Sequence, residues 1–361
     1  MNIQIILLLA LLLQTSVSPA QDLDQLPINK IQVIGSHNSY KKAIDPALFA
    51  FFKSRDSVSA DKIDYEHIGL SDQLAMGLRN LEIDVYADGK GGKYAHPKGL
   101  DWVKNQAPFD PQGVMKEPGF KIFHIVDLDF RSHALTLTDC LQQLRTWSEA
   151  HPNHEPVFIT LECKDQASEN PELTVPEKFT AAVMDELDAA LLQHLGRERI
   201  ITPDSVRGSY SSLEEAVLRG SWPLVSKARG KFLFLLDDKE TKRDLYRSGH
   251  PSLRGRVMFV NADPGTPEAA MMILNDPQNP KISGLVKQGY IIRTRADSDT
   301  RQARINDKTG FKAACSLGAQ IITTDYYLKS THFKSDYVVS FDGSKYVRVN
   351  PLFTTAAHPK P

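Results

Sequence analysis

Within the run "LRNLEIDVY", Glu82 and Asp84 stand two residues apart. On a strand, residues so spaced project to the same side. Two carboxylates on one face of a buried strand repel each other and lose hydration at severe cost, so they need a cation. That cation could be Arg79 or a lysine, which would make the pair structural. Adding Glu162 and the Asn38 amide gives an all-oxygen set drawn from three strands. Hard oxygen donors without cysteine or neighbouring histidine favour Ca2+ or Mg2+ over zinc, and Ca2+ suits an extracellular protein better. His37 and His124 end different strands, and a histidine can take a proton from one group and return it to another. Lys164, Arg293 and Arg295 would add positive charge at the same place. Their guanidinium and ammonium groups either match phosphate oxygens or salt-bridge the carboxylates. The chemistry that uses the whole set is phosphodiester cleavage. A metal offsets charge on the phosphoryl oxygens, one histidine protonates the leaving oxygen, a second base activates the attacking one, and basic side chains hold the remaining oxygen.

These residues need elements that bring them together. Short apolar runs rich in Val, Ile and Phe predict eight strands, at Ile31–Ile34, Leu81–Val85, Lys121–Ile125, Val157–Leu161, Lys231–Leu236, Val257–Val260, Tyr290–Arg293 and Gln320–Thr323. Helices are expected between them at Asp72–Gly77, Asp139–Ala150, Pro176–Leu195, Ser212–Leu218, Pro267–Leu274 and Thr300–Leu317. Nearly continuous hydrophobic strands alternating with helices predict a parallel sheet buried on both faces. At this length the economical closure is an α/β fold of the TIM (β/α)8 barrel type, distorted if need be, as one domain over residues 21–361. All C-terminal strand ends of such a barrel face one mouth. The Gly/Pro-rich stretch 87–120 has little helical period, which weighs against the barrel assignment there unless it is a functional loop.

Composition leaves the class open. Hydrophobic content of 41%, charged content of 24% and a net charge of -1 are those of an ordinary globular protein, with no general attraction to nucleic acid or anionic membrane. No protein partner is predicted. At the N-terminus, "IQIILLLALLL" followed by a polar stretch and "SPA" reads as a secretory leader over residues 1–20, too short to span a bilayer. This places the mature chain in the secreted or periplasmic compartment. Cys140, Cys163 and Cys315 form no disulfide framework and read as buried thiols.

At these residues the chain resembles the phosphatidylinositol-specific phospholipase C superfamily, in particular its secreted calcium-dependent bacterial-type branch. "GSHNSY" resembles the first catalytic histidine followed by a calcium-binding Asn, and "LEIDVY" the Glu-x-Asp calcium motif. "FKIFHIVDLDFRSHALTLTDCLQQL" resembles the strand, second histidine and following helix. "PVFITLECKD" resembles a strand ending in a further calcium-binding Glu, and "IIRTRADSDT" with "GAQIITTDYY" the late Arg-bearing and closing strands. The resemblance runs from about residue 31 to 326. It implies His37 as the acid/base nearer the phosphate, His124 as its partner, and Asn38, Glu82, Asp84 and Glu162 as calcium ligands. It also implies attack by the inositol 2-hydroxyl, giving a cyclic phosphodiester and diacylglycerol.

Where eukaryotic members carry phosphate-binding lysines at the fifth strand, this chain has Leu235, Leu236, Asp237 and Asp238. Polyphosphorylated inositides therefore fit poorly. Membrane contact would have to come from loops, with Trp102, Phe109 and Phe120 as candidates unless they pack over the barrel. The nearest rivals are a glycerophosphodiester phosphodiesterase-like enzyme, which usually begins with His-Arg where this chain has "SHN", and a non-catalytic headgroup-binding barrel. His67, His96, His133, His151 and His154 read as solvent-facing. Because adjacent strand residues point apart, His37 and Asn38 can reach one phosphate only if the chain bends, and the expected place is Gly35.

Overall fold

The computed structural model describes residues 22–354; the leader predicted over residues 1–20 lies outside them. Eight parallel strands form the expected barrel: β1 Ile31–Ser36, β2 Asn80–Val85, β3 Val157–Cys163, β4 Phe232–Leu236, β5 Phe259–Val260, β6 Met271–Ile273, β7 Ile291–Arg295 and β8 Ile321–Thr324. They run β5-β4-β3-β2-β1-β8-β7-β6, and one parallel bridge, Asn261 to Met271, joins the ends. A short β9, Val347–Val349, pairs antiparallel with the start of β1. The side chains of β4 are all buried, as a strand covered on both faces requires.

The strand count matches expectation, but three elements differ. Lys121–Ile125 is not a barrel strand. β2 is paired with β3 along its whole length, Asn80 opposite Phe158 through Val85 opposite Cys163, so no free edge remains for a strand between them. The 121–125 segment instead crosses above the barrel on isolated bridges from Lys121 to Tyr86 and Thr136. Conversely, Met271–Ile273, inside the predicted helix Pro267–Leu274, is the missing strand, three buried apolar residues paired in parallel with Ile291–Arg293 of β7. The predicted helix Thr300–Leu317 is two, Arg301–Arg304 and Thr309–Leu317, interrupted where Asn306 takes φ +53°.

Short helices α1 (Pro46–Lys53), α2 (Ser57–Lys62) and α3 (Leu70–Met76) follow β1; α4 (Gly99–Trp102) lies within the 87–120 excursion, and α5 (Leu137–Ala150) and α6 (Ala181–Leu195) flank β3. The excursion is packed. Tyr94 and Met115 join Ile44, Leu48, Tyr86, Phe123 and Phe130 in a second hydrophobic cluster, separate from the barrel core. That cluster holds residues 120–130, and with them His124, over the mouth. Phe109 packs edge-on against Phe130 and Phe120 stacks on Phe179, so both cover the barrel; Trp102 stacks on Phe51 and remains 38% exposed. Among the described residues the three cysteines are free thiols, two of them buried.

Candidate active site

β1 runs straight through Gly35 to Ser36, and the chain turns at Asn38, whose φ is +47°. The bend expected at Gly35 is therefore three residues later. Gly35 answers to a different need, since a Cβ there would overlap the backbone and side chain of its β2 neighbour Asn80. The turn is fastened to β2 by Ser39, whose N–H donates to the Glu82 carbonyl (2.9 Å) and whose hydroxyl accepts from the Glu82 N–H (2.8 Å). The Ser36 hydroxyl sits 2.6 Å from that of Ser39 and 2.5 Å from Gln73 Oε1, so both serines serve the turn, as their residue type suggests.

Each histidine is oriented by an aspartate. His37 Nδ1 lies 2.9 Å from Asp325 Oδ1, at the end of β8, which leaves Nε2 turned toward Glu82, 3.6 Å away. The Arg295 guanidinium is 3.3 Å from His37 Nδ1 and 3.6 Å from Asp325 Oδ2. Burial, with Arg295 and Arg293 adding to it, holds the His37 pKa well below its ordinary value, so its ring is neutral. His124 Nδ1 lies 2.8 Å from Asp129 Oδ2, and the same oxygen is 3.1 Å from Lys41 Nζ. Lys41 and Asp129 are both fully buried. Burial pushes the Asp129 pKa up, but Lys41 and His124 outweigh it and leave the carboxyl below its usual range. His37, His124, Arg295 and Asp325 line one cavity of about 330 Å³, with Phe52, Lys62 and Ile63 on its wall. A larger cavity of about 430 Å³ shares Asp325 and Tyr65 but is lined by neither His37 nor His124, so the smaller one is the candidate reaction chamber.

Beside it lie the carboxylates. Among the described residues, Glu82, Asp84 and Glu162 are the one group of three or more His, Cys, Asp or Glu side chains whose ligand atoms come within 4.8 Å of one another. Both carboxylate oxygens of Asp84 are buried with no partner at good hydrogen-bond geometry, although the Tyr40 hydroxyl is near enough to favour the charged form; among the described residues its counter-charge is Lys164 Nζ at 3.4 Å, which also binds Glu162 Oε1 at 3.0 Å. Glu82 pairs with Arg293, which donates in turn to Asn275 Oδ1. Burial raises the Glu82 pKa to about 7, against the pull of Arg293, and raises Asp84 well above its ordinary value, against Lys164. A buried, poorly compensated carboxylate beside two others could hold a divalent cation, and oxygen donors alone fit Ca2+. Asn38 donates to Tyr65 (2.8 Å) through its amide nitrogen, and its oxygen, 3.4 Å from the Tyr40 hydroxyl, is only weakly engaged.

All nine residues singled out from sequence thus sit at or beside the mouth, but each of the three basic ones is paired with a carboxylate. Asp325, Asp129, Lys41 and Tyr65 were not assigned roles from sequence. Asp129 is two residues from Asp127, and pattern alone does not choose between them. Asp127 turns out to tie loops together, accepting from the N–H groups of Lys98 and Thr174. His67 and His154 are buried rather than solvent-facing.

The cluster makes a signed prediction. Calcium binds deprotonated carboxylates, so protons compete with it below the raised pKa values of Glu82 and Asp84. The calcium-linked rise in melting temperature is expected to be small at pH 5.5 and larger at pH 8. Without calcium the sign reverses: stability that the raised Glu82 carboxyl contributes at low pH is lost as pH rises through about 7, and that of Asp84 is lost in the same direction. Thermal melts with calcium and with chelator across this range check both, and a calcium shift independent of pH would contradict the assignment.

Residues 26–351 match the family described as phosphoinositide phospholipase C, Ca2+-dependent. Among solved structures, the chain resembles a calcium-dependent phosphoinositol-specific phospholipase C from a Pseudomonas species, with a TM-score of 0.53 at 16% identity over 92% of this chain and 97% of that one. It also resembles a Ca2+-dependent phosphatidylinositol-specific phospholipase C from Streptomyces antibioticus, with a TM-score of 0.52 at 18% identity over 83% of this chain and 95% of that one. At these identities the two structures speak for the shared fold. Among curated proteins there is no significant match.

Proposed function

The chain belongs to the Ca2+-dependent phosphoinositide phospholipase C family, and from that premise we propose that it cleaves the phosphodiester of an inositol phospholipid by proton transfer between His37 and His124. The observation that carries this reading is the pair of His–Asp couples facing one cavity, with an unpartnered buried carboxylate alongside. His37, neutral and held at Nδ1 by Asp325, has Nε2 free to take the proton from the attacking inositol 2-hydroxyl. As the new O–P bond forms and the bond to the diacylglycerol oxygen breaks, His124 returns a proton from Nε2 to that leaving oxygen. Asp129 and Lys41 hold the ring so that Nε2 faces the cavity. Arg295, on the cavity wall, is placed to bind a phosphoryl oxygen. Glu82, Asp84 and Glu162, with Asn38, would hold the calcium, which when bound supplies positive charge beside the phosphoryl group. Lys164 and Arg293 neutralise the same carboxylates until then. Asp237 beside this cluster suits a hydroxyl better than a ring phosphate, which favours the unphosphorylated headgroup.

The experiment is release of water-soluble product from phosphatidylinositol and from glycerophosphodiesters, with calcium or chelator. Turnover of phosphatidylinositol that chelation abolishes is expected. Preference for glycerophosphodiesters would point to the rival activity, and no turnover on any phosphodiester would sink the catalytic reading.

The reading includes contact with a lipid surface and a secreted or periplasmic location. Of the eight exposed large hydrophobic residues among the described ones, five (Val58, Trp102, Val175, Ile305 and Leu328) lie on connections that leave the C-terminal strand ends, around the mouth. Exposed apolar side chains gathered at the substrate entrance suit an interface with acyl chains. Val58→Glu together with Ile305→Glu is expected to lower turnover on phosphatidylinositol vesicles about fivefold or more, because two apolar contacts are replaced by charges. Turnover of a monomeric short-chain substrate should stay within about twofold. Equal loss on both substrates would remove the interfacial role.

A further inference from the structure

We propose that His67 is a positioning residue, which fixes the setting of His37 by holding that residue's own backbone carbonyl and takes no part in proton transfer. The inference rests on the reading of His37 as the base. The proposed reaction leaves this buried histidine unused. The His67 side chain is 0% exposed. Its Nε2 lies 2.7 Å from the His37 carbonyl oxygen, while its own N–H donates to the Lys41 carbonyl at 3.0 Å. His67 thus grips the turn on both sides of Asn38. The ring cannot swing: it stacks on Tyr327, with centroids 5.4 Å apart and planes 15° apart, and meets Tyr65 edge-on at 5.6 Å. The His67 carbonyl is held in turn by His133 Nε2 at 2.7 Å.

Because a carbonyl only accepts, the Nε2 of His67 must carry the proton that bonds it. Its Nδ1 is buried and has no partner, which fits an unprotonated nitrogen. Burial, which outweighs the opposing pull of Asp325, also pushes the His67 pKa down to about 4, so the ring stays neutral at ordinary pH. A ring whose one proton is committed to a backbone carbonyl has none to give a substrate. The hold matters where it acts. Asn38, the next residue, sits in the left-handed region at φ +47°, which side chains other than glycine adopt reluctantly. The peptide between His37 and Asn38 therefore needs a restraint, and the Nε2–H to carbonyl bond supplies one. Gln73 supports the far side, donating to the Ser39 carbonyl at 2.7 Å.

Two variants and one spectrum test this. His67→Leu removes the donor and is expected to lower kcat on phosphatidylinositol by about 10–100-fold, the usual cost of losing a group that orients a functional residue. KM should remain within about twofold and the calcium-linked thermal shift should persist. His67→Gln, whose amide can donate to the same carbonyl, should recover activity to within about fivefold of the parent. Glutamine as inactive as leucine, or leucine as active as the parent, would overturn the proposal. Should the leucine variant fail to fold, long-range 1H–15N spectra of the parent protein, with the ring assigned through His67→Gln, decide the matter. A neutral Nε2–H tautomer from pH 5.5 to 8 supports it; a Nδ1–H tautomer or a titration in that range overturns it. If the parent turned over no phosphodiester, the catalytic reading would fail, and the spectrum alone would still say whether His67 pins the turn.

Discussion

His37→Ala is expected to lower turnover of phosphatidylinositol by about 10³-fold or more, with the calcium-linked rise in melting temperature left in place. General acid–base catalysis by a positioned side chain is worth about 10²–10⁴ in rate, and His37 also bridges Asp325 to the chamber, so the upper part of that range applies. The ring is joined to the carboxylate cluster only by the 3.6 Å approach of Nε2 to Glu82, and Glu82 keeps Arg293 when the ring is gone. Asp325 likewise keeps Arg295. Truncation at His37 therefore removes a proton carrier without unseating the cation site. His124→Ala should behave in the same way, because its partner Asp129 retains Lys41. The measurement is a vesicle assay beside melts with calcium and chelator. Loss of the calcium-linked shift in either variant would mean that the histidines are structural.

The local motifs were readable because chemistry at a barrel mouth leaves short signatures. Glu82 and Asp84 in "LEIDVY" show in two residues that a buried strand carries charge, and the structure places both beside Glu162. The eight-strand barrel was legible for a similar reason, since strands buried on both faces read as apolar runs. The errors have physical causes. "KIFHI" is apolar enough for a strand, but the β2 edge it would need is occupied by β3, a fact of register that no local pattern carries. Met271–Ile273 is so short that its sequence suits either element, and only its place between β5 and β7 decides.

What pattern could not reach were the groups that act through others. Asp325 pairs with a histidine 288 residues away. Lys41 is written among ordinary lysines, yet it is fully buried and completes the His124–Asp129 couple. His67 looks like a loop histidine and is one of the most enclosed groups near the mouth. Even the bend that lets His37 and Asn38 serve one site was misplaced, because a glycine suggests itself as the flexible residue. Here Gly35 answers to close strand packing, and an asparagine, which tolerates the left-handed region better than most residues, makes the turn.

Asp84→Asn separates holding calcium from holding the fold together, and it is expected to move the two in opposite directions. In the calcium-free protein Asp84 is a buried carboxylate crowded by Glu162 and Glu82 and countered by Lys164, with weaker help from the Tyr40 hydroxyl. Its pKa is raised by burial above the value it has in the unfolded chain. The group therefore contributes to folding while protonated and detracts once pH exceeds its raised pKa. The asparagine has nearly the same shape and never ionises, so at pH 8 with chelator the variant should melt higher than the parent, by about 2 °C for each kcal/mol of relief in a chain of this size. With calcium the order reverses. Saturating a ligand site at about 100 times its Kd stabilises the parent by about 2.7 kcal/mol, and the variant, lacking the central carboxylate of the cluster, forgoes most of that. Turnover should fall by about 10³-fold or more, because the several kcal/mol that a bound cation supplies to a phosphoryl transition state are lost with it. A variant that melts lower than the parent under chelator would show that Asp84 is held by its ion pair with Lys164 and is part of the fold. A variant that keeps the calcium shift would move the cation elsewhere. The opposed outcome, stabler without calcium and inactive with it, is what a carboxylate kept unpartnered for a cation must give.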